Sequence, residues 1–159
     1  MDQGLLIMIE VLLRIALGLR FLSSGVSNVQ RWPHAVGTAR SVFPNATTFF
    51  AFIGVAFMVL GGIGVAAGFQ TRIAALMIAI FLLPTFEIQR HHLRTRPKIL
   101  ERILSALPES GPRDELRRLG RDAIHGAETG WQANVIFLLL ALFFAVRGSV
   151  AFGIDNLFG

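Results

Sequence analysis

Glu10 and Arg14 are one helical turn apart inside a long apolar run, and ionisable side chains in such a place need a reason. An arginine near the middle of a bilayer costs at least about 2.5 kcal/mol unless it is paired or faces a polar interior. Two further cations fall at matching depths. Counted at about 1.5 Å per helical residue, Arg147 lies about 8 Å inside the end of the last apolar run, level with Glu10 in the first. Arg72 sits at the turn between the second and third runs. Glu10, Arg14, Arg72 and Arg147 are therefore expected to converge, three cations and one carboxylate, at one end of a small helical bundle. Two kinds of chemistry fit. The cluster can be an internal ion-pair network with Arg72 and Arg147 reaching the interface. It can also be a cationic pocket for a quinone headgroup, a lipid phosphate or a small oxyanion, since the excess positive charge calls for an accepting partner.

The elements that must position these residues are four apolar segments, at about 4–23, 47–68, 72–89 and 131–152. Each approaches the ~20 residues needed to span a hydrocarbon layer. They are continuous rather than alternating, so the expected fold class is all-α, one membrane domain built as a four-transmembrane-helix bundle. Composition agrees: 53% of the 159 residues are hydrophobic, only 16% are charged, and mean hydropathy is +0.61. So small a chain cannot hide that much apolar surface in its own core. Pro84 is expected to kink the third helix near its end. The first run has no basic residue before Arg14, so it is not expected to be a cleaved signal.

Charge sets the expected orientation. Arg31 and Arg40 lie between the first two runs, and nine Lys and Arg residues from Arg90 to Arg121 lie between the last two. The positive-inside rule places both loops in the cytoplasm of a cell inner (plasma) membrane and both termini outside. The net charge of +5 is thus read as topology rather than as a nucleic-acid surface. Within the insert at about 97–127, Ile99, Ile103, Leu104 and Leu107, then Leu116, Leu119, Ala123 and Ala127, recur at helical spacing. Pro108, Gly111 and Pro112 separate the two stretches. Two short amphipathic helices are expected there, lying in the headgroup region or serving other protein subunits as a docking surface.

Gly54, Gly61 and Gly68 are seven apart, and Gly62 adjoins the second. Small residues at that spacing allow close helix packing inside the bundle, or a contact face for partners. The chain has no cysteine, so thiol catalysis, disulfides and cysteine-held clusters are excluded within it. His34 and His125 lie in the two loops, and His91 and His92 follow the third run. Neighbouring histidines point apart on a helix, so no metal site is expected; His91, His92, Arg94 and Arg96 are read as lipid or partner contacts. No catalytic residue is apparent.

Leu12–Gly25 resembles the opening helix of DoxX-like membrane proteins. The glycine pair Gly61 and Gly62, with Gly68–Ala75, resembles that family's helix-turn-helix signature, and Gly148–Leu157, with Gly-Ile-Asp at 153–155, resembles its tail. The resemblance implies a four-helix bundle associated with redox functions, such as a membrane subunit of a quinone-linked oxidoreductase or a partner of soluble enzymes of oxidative-stress defence. It also implies a glutamate three residues before the glycine pair. Here that residue is Met58, which depth counting places level with Arg14, so Glu10 is the candidate substitute. Three functions are carried forward: a membrane subunit of a redox-associated complex with a quinone or small-anion pocket formed by the charge cluster; a non-catalytic accessory or scaffold subunit; and, last, a small transporter, for which four short helices leave little room.

Overall fold

The computed structural model describes residues 2–106 and 112–157. Among these every regular element is helical: α1 Gln3–Gln30, α2 Trp32–Arg40, α3 Thr47–Ala67, α4 Thr71–Ala106, α5 Pro112–Arg147, and a 3₁₀ turn at Ile154–Leu157. The helices α3, α4 and α5 are each long and apolar enough to cross a membrane. The first helix carries Glu10, Arg14 and Arg20 as well as its apolar residues. Glu10 and Arg14 are buried in the protein, and Leu5, Leu6, Met8, Ile9, Leu12 and Leu13 form its exposed surface.

Neighbouring helices run antiparallel. At one end of the bundle, the tail end, are the start of α1, the α3–α4 turn and residues 148–157. At the other, the hairpin end, are α2, the last turns of α4 and the first turns of α5. The core is Leu17 and Phe21 of α1, Val65 of α3, Ala75, Ile78 and Leu82 of α4, and Phe144 of α5. Phe21 meets Phe81 and Phe137 edge-on, at centroid separations of 6.2 and 5.8 Å.

The glycines of α3 split between two neighbours. A Cβ on Gly62 would stand 2.6 Å from the Leu22 amide nitrogen and 2.8 Å from the Gly18 carbonyl, both on α1. On Gly61 it would stand 2.9 Å from the Ala74 carbonyl of α4. Gly54 faces only the Phe81 ring at 3.5 Å, an ordinary contact. Gly68 ends α3 in the left-handed region at φ 66°, with the Phe69 amide donating to the Gly64 carbonyl at 2.9 Å. So Gly61 and Gly62 let the bundle close and are not free for a partner, while Gly68 is a cap. The matching small residues on α1, Gly18 and Gly25, were readable as another pair seven apart.

Three expectations change. The last helix does not continue to 152: it stops at Arg147, because Gly148 turns left-handed at φ 78° and sends the tail back across the bundle. The third helix does not end near 89: α4 runs on through Pro84 and Pro97 to Ala106, about 54 Å at 36 residues. The two amphipathic stretches of the insert are not separate short helices. They are the last turns of α4 and the first of α5; of the expected break at Pro108, Gly111 and Pro112, Pro112 begins α5, while Pro108 and Gly111, with Leu107, lie outside the described residues. Their apolar sides pack on each other in part, with Leu100 against Gly120 and the Arg96 guanidinium donating to the Ala123 carbonyl at 2.9 Å. Burying apolar side chains against a second helix replaces the burial that headgroups would have offered.

Candidate functional site

The charge cluster forms, but what occupies it is the chain's own tail. Arg14 is 2% exposed. Its guanidinium donates to the Ser149 hydroxyl and, at 2.8 Å, to the Phe152 carbonyl. Glu10 takes the Val150 amide at 3.1 Å through one oxygen and pairs with Arg147 Nε at 3.2 Å through the other. Arg147 in turn lies over the Phe143 ring, 5.6 Å from its centroid. Arg72 is exposed beside Gly148 and does not join the pair. Phe152 holds a left-handed backbone at φ 51°, uncommon for a bulky residue, and that turn points its carbonyl at Arg14.

A second carboxylate completes the end, and charge counting missed it. Asp155 accepts from the Gln70 amide at 2.7 Å, and from the Thr71 amide and hydroxyl, each at 3.0 Å. It therefore caps the start of α4 from a distant part of the sequence. The Asp155 amide also donates to the Gly68 carbonyl at 2.8 Å. The Gly-Ile-Asp motif was the visible signal, but nothing local to it says which helix it caps. Burial opposes ionisation of Asp155; the Thr71 and Gln70 amides, the Thr71 hydroxyl and the charge of Arg14 outweigh it and hold the carboxyl below its ordinary value of 3.8. A depressed folded-state value contributes stability that is present above 3.8 and is lost as pH falls through the folded value. Asp155→Ala is expected to lower stability by about 1–2 kcal/mol at neutral pH. The gap between variant and parent should narrow below pH 3.8, as read by thermal unfolding in detergent across a pH series.

Met58 is not level with Arg14. In the antiparallel register Gly62 faces Gly18, and Met58 faces Gly25, with its sulfur 3.4 Å from the Asn28 amide nitrogen. Arg14 lies instead against Gly68. Counting depth from the ends of apolar runs failed because the start of α1 is not level with the end of α3: Arg14, well inside α1, lies against Gly68 at the α3 terminus.

The open space is at the other end. A cavity of about 820 Å³ lies between α1, α2, α4 and α5, where α1 and α5 barely touch. Its polar lining includes Arg20, His34, Gln89, His92, Arg96 and Asn134 beside several hydroxyls, with Phe21, Phe81 and Phe137 as aromatic walls. Among the described residues no carboxylate lines it. Arg20 donates to Ser24 and sits 5.9 Å from the Phe137 centroid. Asn134 donates to Thr85 Oγ1 at 3.0 Å across the α4–α5 seam. A smaller chamber of about 250 Å³ adjoins it, shares Met58, Phe81 and Thr85, and is walled mainly by apolar residues such as Phe43, Phe50 and Val55. Of the residues expected at the boundary, His92 and Arg96 line the cavity, while His91 and Arg94 are exposed. Arg20, His34 and Gln89 were not singled out as a site, because α2, which brings His34 over the cavity, has only nine residues and no long apolar run.

A family model, DoxX, matches residues 9–90, from the second turn of α1 to beyond the middle of α4. No curated protein and no solved structure gives a significant match.

Proposed function

The chain belongs to the DoxX family of proteins, and on that premise we propose that it is a membrane subunit of a redox-associated complex whose ligand chamber is the cavity at the hairpin end. In this reading α1 is a fourth crossing helix, its two buried charges shielded by the tail. The hairpin end, with Arg31, Arg40, Arg90, Arg94 and Lys98, faces the cytoplasm of the plasma membrane, and both termini face outward. The observation that carries the proposal is the cavity itself. Its volume falls within the range of small-molecule sites, and it joins aromatic walls to a few convergent donors. Those donors suit the carbonyls of a quinone headgroup or the oxygens of a small oxyanion. In the polar cluster first expected to be that pocket, both terminal nitrogens of Arg14 and one Glu10 oxygen are engaged by Ser149, Phe152 and Val150, and the other Glu10 oxygen by Arg147. Donor-side redox chemistry would belong to a partner subunit.

Gly37 and Gly126 offer a test, because both line the cavity and a Cβ on either meets nothing within 4 Å. Gly37→Phe is expected to obstruct the chamber without disturbing the helices. Protein purified from native membranes should carry a small amphipathic molecule, found by mass spectrometry, that the Gly37→Phe protein lacks. Equal occupancy in a well-folded variant would sink the proposal. The second reading, an accessory subunit that anchors a larger complex, is favoured by Ile99, Ile103 and Leu119, which stay exposed on the hairpin. In the same preparation, changing those three residues to serine should release protein partners and leave the bound small molecule in place; retention of every partner would count against this reading.

A further inference from the structure

We infer that the natural occupant of the cavity is an acidic amphiphile, an anionic headgroup on a single apolar chain, and that Arg20 is its principal contact; this rests on the cavity being the ligand chamber. Four observations converge on that class. The first is charge: Arg20 and Arg96 line the chamber with two imidazoles, and no described carboxylate faces them. A chamber built for a neutral ligand has no need of two guanidiniums with no carboxylate among its described lining residues.

The second is how the two arginines are held. Arg96 is already used in part, donating to the Ala123 carbonyl. Arg20 has only the neutral Ser24 hydroxyl and the face of Phe137. Both leave donors of the planar fork available, and a carboxylate or phosphate matches that fork in a bidentate way. Arg14, six residues earlier on the same helix, differs: both its terminal nitrogens donate to the tail, so the two arginines of the opening helix have divided roles.

The third is the adjoining chamber. It shares Met58, Phe81 and Thr85 with the main cavity, and its apolar wall gives an acyl chain a place that a bare oxyanion would not use. The fourth is access. Contacts between α1 and α5 are sparse, and the Phe21–Phe137 and Arg20–Phe137 pairs are what bridge the two helices at this level. A ligand arriving from the lipid phase would meet Arg20 at that seam.

The shared chemistry could come from a free fatty acid or from a lysophospholipid bearing a phosphate monoester, and the test separates them. The full chain, in neutral detergent, is titrated with cis-parinaric acid, a fluorescent acyl carboxylate, and the probe is competed with oleic acid, oleoyl lysophosphatidic acid, methyl oleate and a short-chain ubiquinone. The expected result is saturable binding, with at least one acid displacing the probe at a concentration about tenfold lower than methyl oleate. The tighter of the two acids identifies the source. Arg20→Gln should cost the acid about tenfold and leave methyl oleate unchanged, while Arg20→Lys should restore most of the loss. Arg96→Gln, on a different helix, should weaken the acid in the same direction should Arg20→Gln not yield folded protein. Methyl oleate binding as tightly as the acids, or indifference of the acids to both arginine variants, would overturn the inference. Displacement by the quinone alone would overturn it and leave the ligand chamber standing. Failure of all four ligands to compete, with no probe binding, would remove both.

Discussion

Arg14→Leu is expected to lower the unfolding temperature in detergent by about 10 °C and to make the C-terminal tail accessible to carboxypeptidase. Removing one member of a buried charged network costs about 3–5 kcal/mol, because its partners stay buried and lose their compensation. For a chain of this size each kcal/mol corresponds to about 2–4 °C. The stranded groups are specific. The Phe152 carbonyl loses its donor while the backbone there is still held left-handed, and the Ser149 hydroxyl loses another. Glu10 keeps Arg147 and the Val150 amide, so the tail loosens from its Phe152 side first. Ser149→Ala should show the same phenotype at about 1 kcal/mol, the worth of one ordinary hydrogen bond. The folded fraction of Arg14→Leu should retain its cavity ligand, because the cavity is lined by residues from Arg20 onward along α1. Loss of ligand with an unchanged unfolding temperature would show that Arg14 serves binding and not the tail.

The other large effect is expected at the α1–α3 crossing. Gly62→Val should fail to give monodisperse protein. Its Cβ would sit 2.6 Å from a backbone nitrogen and 2.8 Å from a backbone oxygen of α1, and neither can swing aside as a side chain would. Overpacking a well-filled interior costs about 1–3 kcal/mol. Here relief requires α1 to move away from α3, which would also part Arg14 from the tail. Gly54→Ala is the control on the same helix. It meets only the edge of Phe81 at 3.5 Å and should purify like the parent, with the small gain that alanine brings to a helix. Size-exclusion chromatography of the two variants side by side checks both. A normal elution profile for Gly62→Val would mean that the helices are not packed at this distance.

These two sites show different degrees of legibility. Gly61 and Gly62 could be assigned to helix packing from spacing alone, because a small residue repeated on one face of an apolar helix has few other uses. The sequence could not say that adjacent glycines face different neighbours, Gly62 toward α1 and Gly61 toward α4. The charges were legible as a group. Depth counting brought Glu10 to Arg147, an ion pair that forms at 3.2 Å. It misjudged Met58, because it assumed that the start of α1 and the end of α3 are level with each other, whereas α1 begins well beyond α3.

By itself the sequence determined the properties that residue period and transfer energy set. These are an all-helical chain with apolar runs long enough to cross a membrane, basic segments gathered at one end, and two charges on one face of the first helix that had to find partners inside. Such properties belong to segments, and a segment carries them wherever it packs. Which partners the charges found was decided only by tertiary structure. Ser149, Phe152 and Asp155 are more than 80 residues from the groups they bind, and two of those contacts use backbone atoms that any residue type would present. The cavity was hidden for the same reason. It is a gap left where α1 and α5 make few contacts, and a gap has no residue of its own to be read.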